Sequence, residues 1–218
     1  MALLDLNPDE LLFTTRAVRK RLDLERDVPD ELIRECAAAA LQAPSGSNMI
    51  SMNFVVVKDP EKRQALADVY AAGWEVYKST PFFAGAIKRD TEVAQAQQER
   101  VADSATYLAE NMAKVPVLVV ACHNGNRIDG LPAMASAATL GNILPATWSF
   151  MLAARARGLG TAWTTIHLFN EKDAADVLGI PYDTVQQVCL TPLAFTKGTD
   201  FKPATRPDPE TILHWNGW

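Results

Sequence analysis

Cysteine is scarce in this sequence, and the spacing of the few cysteines excludes the sites that cysteine pairs build. Cys36, Cys122 and Cys189 are far apart, form no CxxC pair and are odd in number. Disulfide frameworks and structural zinc sites need closely spaced cysteines, so we expect neither of them. Thiols without partners are typical of a reducing compartment, and the sequence predicts a cytoplasmic protein without a metal site.

Long apolar runs and an excess of positive charge are also missing. The sequence has no uncharged apolar run of about 18 residues, the length that a membrane-spanning helix needs. Its first residues, MALLDLNPDELL, lack the basic start and the cleavage site of a signal peptide. The formal net charge is −5, which argues against the broad basic surface of a nucleic-acid-binding protein. We therefore expect no membrane and no nucleic acid among its partners.

Recognisable catalytic motifs are missing as well. The sequence contains no GxGxxG after a predicted strand, no P-loop, no GxSxG and no HExxH, and its histidines are scattered. Its carboxylates fall on polar helix faces, where solvation explains them. A chain of this size without reactive side chains of its own often takes its chemistry from a cofactor. We expect no catalytic side chain.

Apolar residues at helical and strand spacing predict a single α+β domain over residues 1–218, with no repeat and no linker. The predicted helices cover 8–20, 30–43, 60–77, 133–157 and 171–180. The predicted strands cover 53–59, 115–122, 161–167 and 184–195. Residues 78–103 are polar and weakly periodic, and we expect a mobile excursion with some helix. Pro145 is expected to kink or split its helix, and the proline-rich residues 199–218 to form an extended arm.

Positive charge is concentrated in one short segment of this acidic chain, TTRAVRKRLD (residues 14–23). It carries four basic side chains, Arg16, Arg19, Lys20 and Arg21. A solvated helix end would explain them, and so would a bound anion. Two further groups favour the anion: Lys202 and Arg206 near the end of the chain, and the loop PSGSN (44–48), whose hydroxyl and amide groups suit a polyol or a ring edge. Because guanidinium groups match phosphate geometry, the combination predicts a site for a phosphorylated cofactor.

The order of these motifs resembles a known family. The stretch TTRAVRKRLD…VPDELIRECAAAALQAPSGSN…FVVV resembles the opening of the FMN-dependent nitroreductase family, and ARARGLGTAW resembles its later signature. Further stretches, SATYLAENM, WTTIHL, LGIPYD and HWNGW, are similar to the nitroreductases of mycobacteria and related actinobacteria. The resemblance implies a nitroreductase-like α+β fold, with a central, mostly antiparallel sheet flanked by helices. It also implies a homodimer with an extended C-terminal arm and a flavin in the interface that touches both chains.

The resemblance further implies a role for each motif residue. Arg16, Arg19 and Arg206 would bind the FMN phosphate, and the backbone amide of Ala17 would replace a serine hydroxyl that the family usually provides. The loop along the ribityl chain and the flavin ring would consist of Pro44, Ser45, Gly46, Ser47 and Asn48. Trp163, Thr164 and Thr165 would place a backbone N–H against flavin N5.

One stretch departs from the family pattern. Met49, Ile50, Ser51 and Met52 stand where the family often has x-Q-P-W. The loss of an amide and an indole near the ring predicts either weaker flavin retention or a pocket for bulkier apolar substrates. Both interpretations stay open.

The implied function is that of an NAD(P)H-dependent FMN oxidoreductase. Hydride would pass from NAD(P)H to flavin N5, and a nitroaromatic, quinone or similar electron-poor acceptor would then take two electrons in a ping-pong sequence. An alternative from another class is a flavin-binding or flavin-sequestering protein without efficient turnover. Desaturation, reductive dehalogenation and a deazaflavin donor also stay open.

Overall fold

The structure, a computed structural model, describes residues 3–125 and 127–218. Its α-helices are Pro8–Thr14 (α1), Asp30–Ala40 (α2), Pro60–Lys78 (α3), Glu92–Asn111 (α4), Ala133–Ala156 (α5) and Glu171–Leu178 (α6). Its β-strands are Met52–Val57 (β1), Val117–Asn124 (β2), Leu159–Thr161 (β3) and Val185–Phe195 (β4). Short 3-10 helices cover Gly46–Asn48, Met112–Lys114, Ile166–Asn170 and Pro209–Ile212.

The strands form one antiparallel sheet in the order β1-β2-β4-β3. Alternate residues of the central strand β2 belong to two cores on opposite faces: Leu118, Val120 and Cys122 to one, and Val117, Val119 and Ala121 to the other. Helices α3, α4 and α6 pack on the first face, and α2 and α5 on the second. This double burial explains why β2 is an almost continuous apolar run instead of an alternating one. The predicted α+β class, with an antiparallel sheet between helices, is confirmed.

The first predicted helix, 8–20, ends earlier than expected. Helix α1 stops at Thr14, and the next residue has extended φ and ψ angles of −72° and 124°. The chain then follows the outer edge of β3, where the Val18 N–H donates to the Thr161 carbonyl at 2.8 Å. Residues 15–22, called the basic segment from here on, therefore form no helix. Hydrogen bonding to β3 outweighs the local helix propensity.

The expected excursion at 78–103 is also more regular than its composition suggests. Residues 92–103 belong to α4, which begins where the Thr91 side chain accepts a hydrogen bond from the Ala94 N–H at 3.2 Å. Gln98 and Leu108 are the buried residues of this helix. The weak apolar periodicity has a physical cause, since most of the surface of α4 does not face a core.

Helix α5 continues through Pro145 as one helix, so the predicted split is wrong. Ile143, Ala146 and Phe150 are each no more than 1% exposed and pack the helix on the sheet before and after the proline. This burial outweighs the hydrogen bond that proline cannot donate.

The predicted strand at 161–167 keeps only Thr161 within β3, and a single bridge then pairs Thr164 with Leu190. Residues 197–218, called the C-terminal segment from here on, contain no α-helix and no strand. None of the helices in the described ranges combines the length and the hydropathy that crossing a membrane requires.

Candidate functional site

A cavity of about 570 Å³ lies between the basic segment, α4 and the C-terminal segment, and is called the anion cavity from here on. Six basic side chains line it: Arg16, Arg19, Lys20, Arg21, Arg100 and Lys202. One carboxylate, that of Asp200, belongs to the same lining. Because like charges at close range repel unless an anion compensates them, this lining is suited to hold an anion.

The basic segment is fixed by β3 and by the chain that follows β4. Val18 and Leu22 are 5% and 0% exposed, and they hold the segment against the sheet. Gly160 of β3 permits this close approach, because a Cβ there would lie 2.9 Å from Val18 Cβ and 3.0 Å from Leu22 Cδ2. A side chain at this position would displace the basic segment. The second glycine of the GLG motif thus has a packing role at the edge of the site.

The two ends of the chain meet at the anion cavity. Arg16 donates from Nη1 to the carbonyl of Lys202 at 3.2 Å, and Arg21 donates from Nη2 to Asp200 Oδ1 at 2.5 Å. These contacts bring Lys202 into the lining beside the basic segment. Arg206 is exposed and lies just beyond the lining, so its assignment to the phosphate stays a prediction.

Arg19 connects the anion cavity to α3 and α4. Its Nη1 donates to Ser104 Oγ of α4 at 3.3 Å. Burial lowers the pKa of Arg19, and the nearby Tyr70 partly opposes this effect. The guanidinium is charged at neutral pH, as arginine is throughout proteins. Burial raises the pKa of Tyr70, whose hydroxyl forms a hydrogen bond with Thr164 Oγ1 at 2.9 Å. Arg19 and Tyr70 therefore lie between the anion cavity and Thr164 as neighbouring polar side chains.

The segment 163–165 follows the end of β3 on the same edge of the sheet. Thr164 exchanges both backbone hydrogen bonds with Leu190 of β4, at 3.0 and 2.8 Å, so its N–H is already occupied. Within the described part of the chain, the N–H groups of Trp163 and Thr165 donate to no protein acceptor. Thr165 is exposed and Trp163 is half-buried. Of these three residues, Trp163 and Thr165 can therefore offer a backbone N–H to a ligand.

The loop at 44–48 adopts a conformation that side chains disfavour. Ser47 and Asn48 both have left-handed φ angles, 53° and 56°. Such angles are uncommon outside glycine, and their strain is typical of functional loops. The buried Asn142 of α5 holds the loop, because its Oδ1 accepts from the Gly46 N–H at 2.7 Å and its Nδ2 lies 3.4 Å from Ser51 Oγ.

This loop lies at the opposite corner of the sheet from the basic segment. Thr161 is in register with Val117 of β2 through β4, whereas Met52, which follows the loop, pairs with His123. Six positions along β2 and three strand spacings separate the two places, roughly 25 Å in total. Within one chain, none of the loop residues 44–48 lines the anion cavity.

The residues after Asn48 that depart from the family pattern differ in burial. Met52 is 7% exposed and belongs to the core beneath α2 and α5. Met49 and Ile50 are 61% and 70% exposed, which places two large apolar side chains on the surface beside the loop. A surface of this kind favours contact with another apolar surface.

Several site residues were missing from the sequence-based predictions. They are Tyr70, Gln97, Arg100, Ser104 and Asn142. Gln97, Arg100 and Ser104 recur every three or four residues, the spacing of one helix face, and this was the available signal. It was hidden because a polar face in a weakly periodic stretch is usually a solvated one. Tyr70 and Asn142 carry no local signal, since their roles depend on contacts distant in sequence.

Comparison with known proteins identifies relatives of this chain in sequence and in fold. The sequence matches the model of the nitroreductase family over residues 12–194. An oxidised iodotyrosine deiodinase bound to FMN and 3-iodo-L-tyrosine is similar with a TM-score of 0.69 and 18% identity, over 96% of this chain and 99% of that chain. The FMN and NADPH-dependent nitroreductase NfnB from sphigopyxis sp. strain HMH is similar with a TM-score of 0.65 and 20% identity, over 98% of this chain and 100% of that chain. A BluB-like flavoprotein from Clostridium difficile 630 is similar with a TM-score of 0.68 and 19% identity, over 96% of this chain and 99% of that chain.

At these identities the structures establish a shared fold, and the family assignment depends on the sequence match. That match covers most of the chain and includes the basic segment, the loop at 44–48 and the segment 163–165. The chain therefore belongs to the nitroreductase family.

Proposed function

We propose that this protein is an FMN-dependent NAD(P)H oxidoreductase that reduces electron-poor acceptors such as nitroaromatics and quinones. The observation that carries the proposal is the anion cavity, where Arg16 and Arg19 from one end of the chain meet Lys202 from the other. The family membership and this cavity together support a phosphorylated flavin over other anions. We further propose that the protein acts in the cytoplasm as a single-domain subunit of a homodimer.

The donors around the anion cavity fit a phosphate monoester. The Arg16 and Arg19 guanidinium groups make hydrogen bonds only to neutral partners, a carbonyl and a hydroxyl, so their charges are uncompensated within the described residues. The Ala17 N–H, which the resemblance assigns to the phosphate, likewise donates to no described acceptor. Arg206, which follows the lining residue Thr205 in the chain, would add a further guanidinium. These groups would hold the phosphate of FMN.

The remaining predicted ligands fit a flavin that lies between two chains. The loop at 44–48 lies at the other corner of the sheet, so a second subunit would have to bring its own loop to the ring. An exposed apolar surface supports this dimer. Leu144 and Trp148 of α5 are 37% and 40% exposed, and Met49 and Ile50 beside the loop are more exposed still. Large apolar side chains that stay exposed near one another in a single chain are typical of subunit interfaces.

Bound FMN would supply the redox chemistry, as the acceptor of a hydride from NAD(P)H and the donor of two electrons to the substrate. The chain's own residues bind and orient. The basic segment and Lys202 neutralise the phosphate, and the N–H of Thr165 or Trp163 would donate to flavin N5, where a donor favours the reduced ring. Because no side chain of the described site is placed as an acid, the protons would come from water.

Anaerobic reduction tests this function directly. We expect the purified holoprotein to be yellow, and NADPH or NADH added without oxygen to bleach its flavin absorption band. Subsequent addition of a nitroaromatic or a quinone should restore the band, since the same flavin passes the electrons on. The measurement is the visible absorption spectrum, followed through both additions.

The same spectra distinguish the alternatives. A flavin band that stays oxidised with both nicotinamides would contradict the oxidoreductase and support a flavin-sequestering protein. Bleaching without reoxidation by nitro compounds or quinones would contradict the proposed acceptors. Reoxidation by a halogenated phenol would then support reductive dehalogenation. An iodotyrosine deiodinase shares this fold, which is the reason to include that substrate in the test.

Deletion of residues 208–218 tests the dimer. Trp215 and Trp218 are 78% and 104% exposed in the isolated chain, and Ile212 is 76% exposed, which leaves this stretch without a packing partner of its own. We expect the truncated protein to stay folded but to dissociate at protein concentrations at least tenfold higher than the full chain does. Sedimentation velocity measures this shift, and Trp215→Ala/Trp218→Ala is the matched full-length variant. If the full chain, the truncated protein and the double tryptophan variant dissociate at the same concentration, residues 208–218 do not contribute to the subunit interface.

A further inference from the structure

We infer that Arg100 of α4 is an additional ligand of the flavin phosphate, so that α4 forms a third wall of the phosphate site. The inference rests on the proposed function and adds a residue that neither the sequence motifs nor the predicted site includes. It assigns α4 a binding role for the anionic group of FMN, beside the basic segment and the C-terminal segment.

The placement of Arg100 is the first support. Gln97, Arg100, Val101 and Ser104 all line the anion cavity, and their spacing puts them on one face of α4. This face is fixed against the basic segment one turn after Arg100, where Ser104 accepts a hydrogen bond from Arg19 and Asp103 forms an ion pair with Lys20. Arg100 therefore lines the same cavity as Arg16 and Lys202, from the side that α4 provides.

The charge balance is the second support. Of the six basic side chains in the lining, Lys20 is paired with Asp103 and Arg21 with Asp200. Within residues 3–125 and 127–218, the other four form no ion pair: Arg16, Arg19, Arg100 and Lys202. A phosphate monoester carries a charge of about −1.5 to −2 at neutral pH and offers three acceptor oxygens, so it can bind several of these cations together.

A solvated helix residue is the alternative interpretation of Arg100, which is exposed. Solvation alone leaves its position unexplained, because an arginine on the wall of a cavity that already holds three unpaired cations is repelled by them. A bound dianion reverses the sign of this interaction. The role is therefore tied to the phosphate and not to the ribityl chain or the ring, and this distinction determines the experiment.

Riboflavin lacks the phosphate of FMN, and comparison of the two ligands isolates the proposed contact. We expect Arg100→Ala to weaken FMN binding by about tenfold or more, the loss typical of one charge-assisted hydrogen bond, and to leave riboflavin binding unchanged. Arg100→Lys should recover part of the FMN affinity, since it keeps the charge but not the fork. Flavin fluorescence quenching during titration of the apoprotein measures both dissociation constants.

The matched control is Lys62→Ala, which removes an exposed positive charge on α3 outside the cavity lining. It should bind FMN as the unmodified protein does. Because Arg100 is exposed, its alanine variant should also keep the thermal stability of the ligand-free protein. An unchanged FMN affinity in Arg100→Ala, or an equal loss for FMN and riboflavin, would overturn the inference while leaving the proposed function intact. Failure of the unmodified protein to bind FMN would instead overturn the proposed function, and the inference with it.

Discussion

The double substitution Arg16→Ala/Arg19→Ala should yield a protein that is purified without FMN. Each residue would contribute a charge-assisted hydrogen bond to the phosphate, worth roughly 1.5–3 kcal/mol. Together they account for roughly 3–6 kcal/mol, which corresponds to a loss of affinity of about 10²- to 10⁴-fold. The flavin content of the purified protein and the dissociation constant of added FMN measure this loss.

Two comparisons make the result specific to the anion cavity. Lys62→Ala/Lys88→Ala removes the same number of positive charges from exposed positions outside the lining, and it should keep its flavin. Circular dichroism checks that the double variant is folded, because Arg19 also donates to Ser104 of α4. A folded double variant that stays yellow after dilution to micromolar concentration would contradict the phosphate site at the basic segment.

Acid should destabilise this protein mainly through its most deeply buried histidine, His167. His167 is fully buried in the 3-10 helix that follows the segment 163–165, and neither ring nitrogen has a hydrogen-bond partner among the described residues. Burial lowers the pKa of His167 from 6.5 to about 4. The folded state thus keeps the imidazole neutral at a pH where the unfolded chain already binds a proton.

The direction of the pH dependence follows from this difference. Stability from the neutral His167 is fully present above the unfolded pKa near 6.5 and is lost as the pH falls towards about 4, where the folded state binds the proton as well. Over this window the free energy of unfolding should fall by roughly 3 kcal/mol, at 1.36 kcal/mol for each pKa unit. Urea unfolding at a series of pH values between 7.5 and 4.5 measures the change.

A variant that cannot titrate isolates the histidine from the carboxylates. His167→Gln should show a much shallower pH dependence than the unmodified protein, whatever its stability at neutral pH. Burial also lowers the pKa of His123, so His123→Gln is the companion variant, with an effect in the same direction. Identical pH dependence in the unmodified protein and in His167→Gln would show that the buried imidazole does not control acid stability.

The extent to which the sequence predicts the fold differs between elements for physical reasons. Strands β2 and β4 were predicted because both of their faces are buried, which leaves a continuous apolar run in the sequence. The end of α1 was predicted wrongly, because the residues after Thr14 form hydrogen bonds with β3, about 145 positions later in the chain. Helix α4 was underestimated because only Gln98 and Leu108 are buried on it.

The sequence alone determined which chemical groups are present and in what order: arginines near the start, the polar loop at 44–48, the GLG motif and basic residues near the end. It did so because residue type and local spacing are properties of the chain itself, and the family match depends on the same order. Only the tertiary structure decided which groups meet. Arg16 and Lys202 lie on one cavity, α4 joins them with Arg100, and the loop at 44–48 stays at the far corner of the sheet. These distances depend on strand order and register, which are set by contacts between residues far apart in the chain.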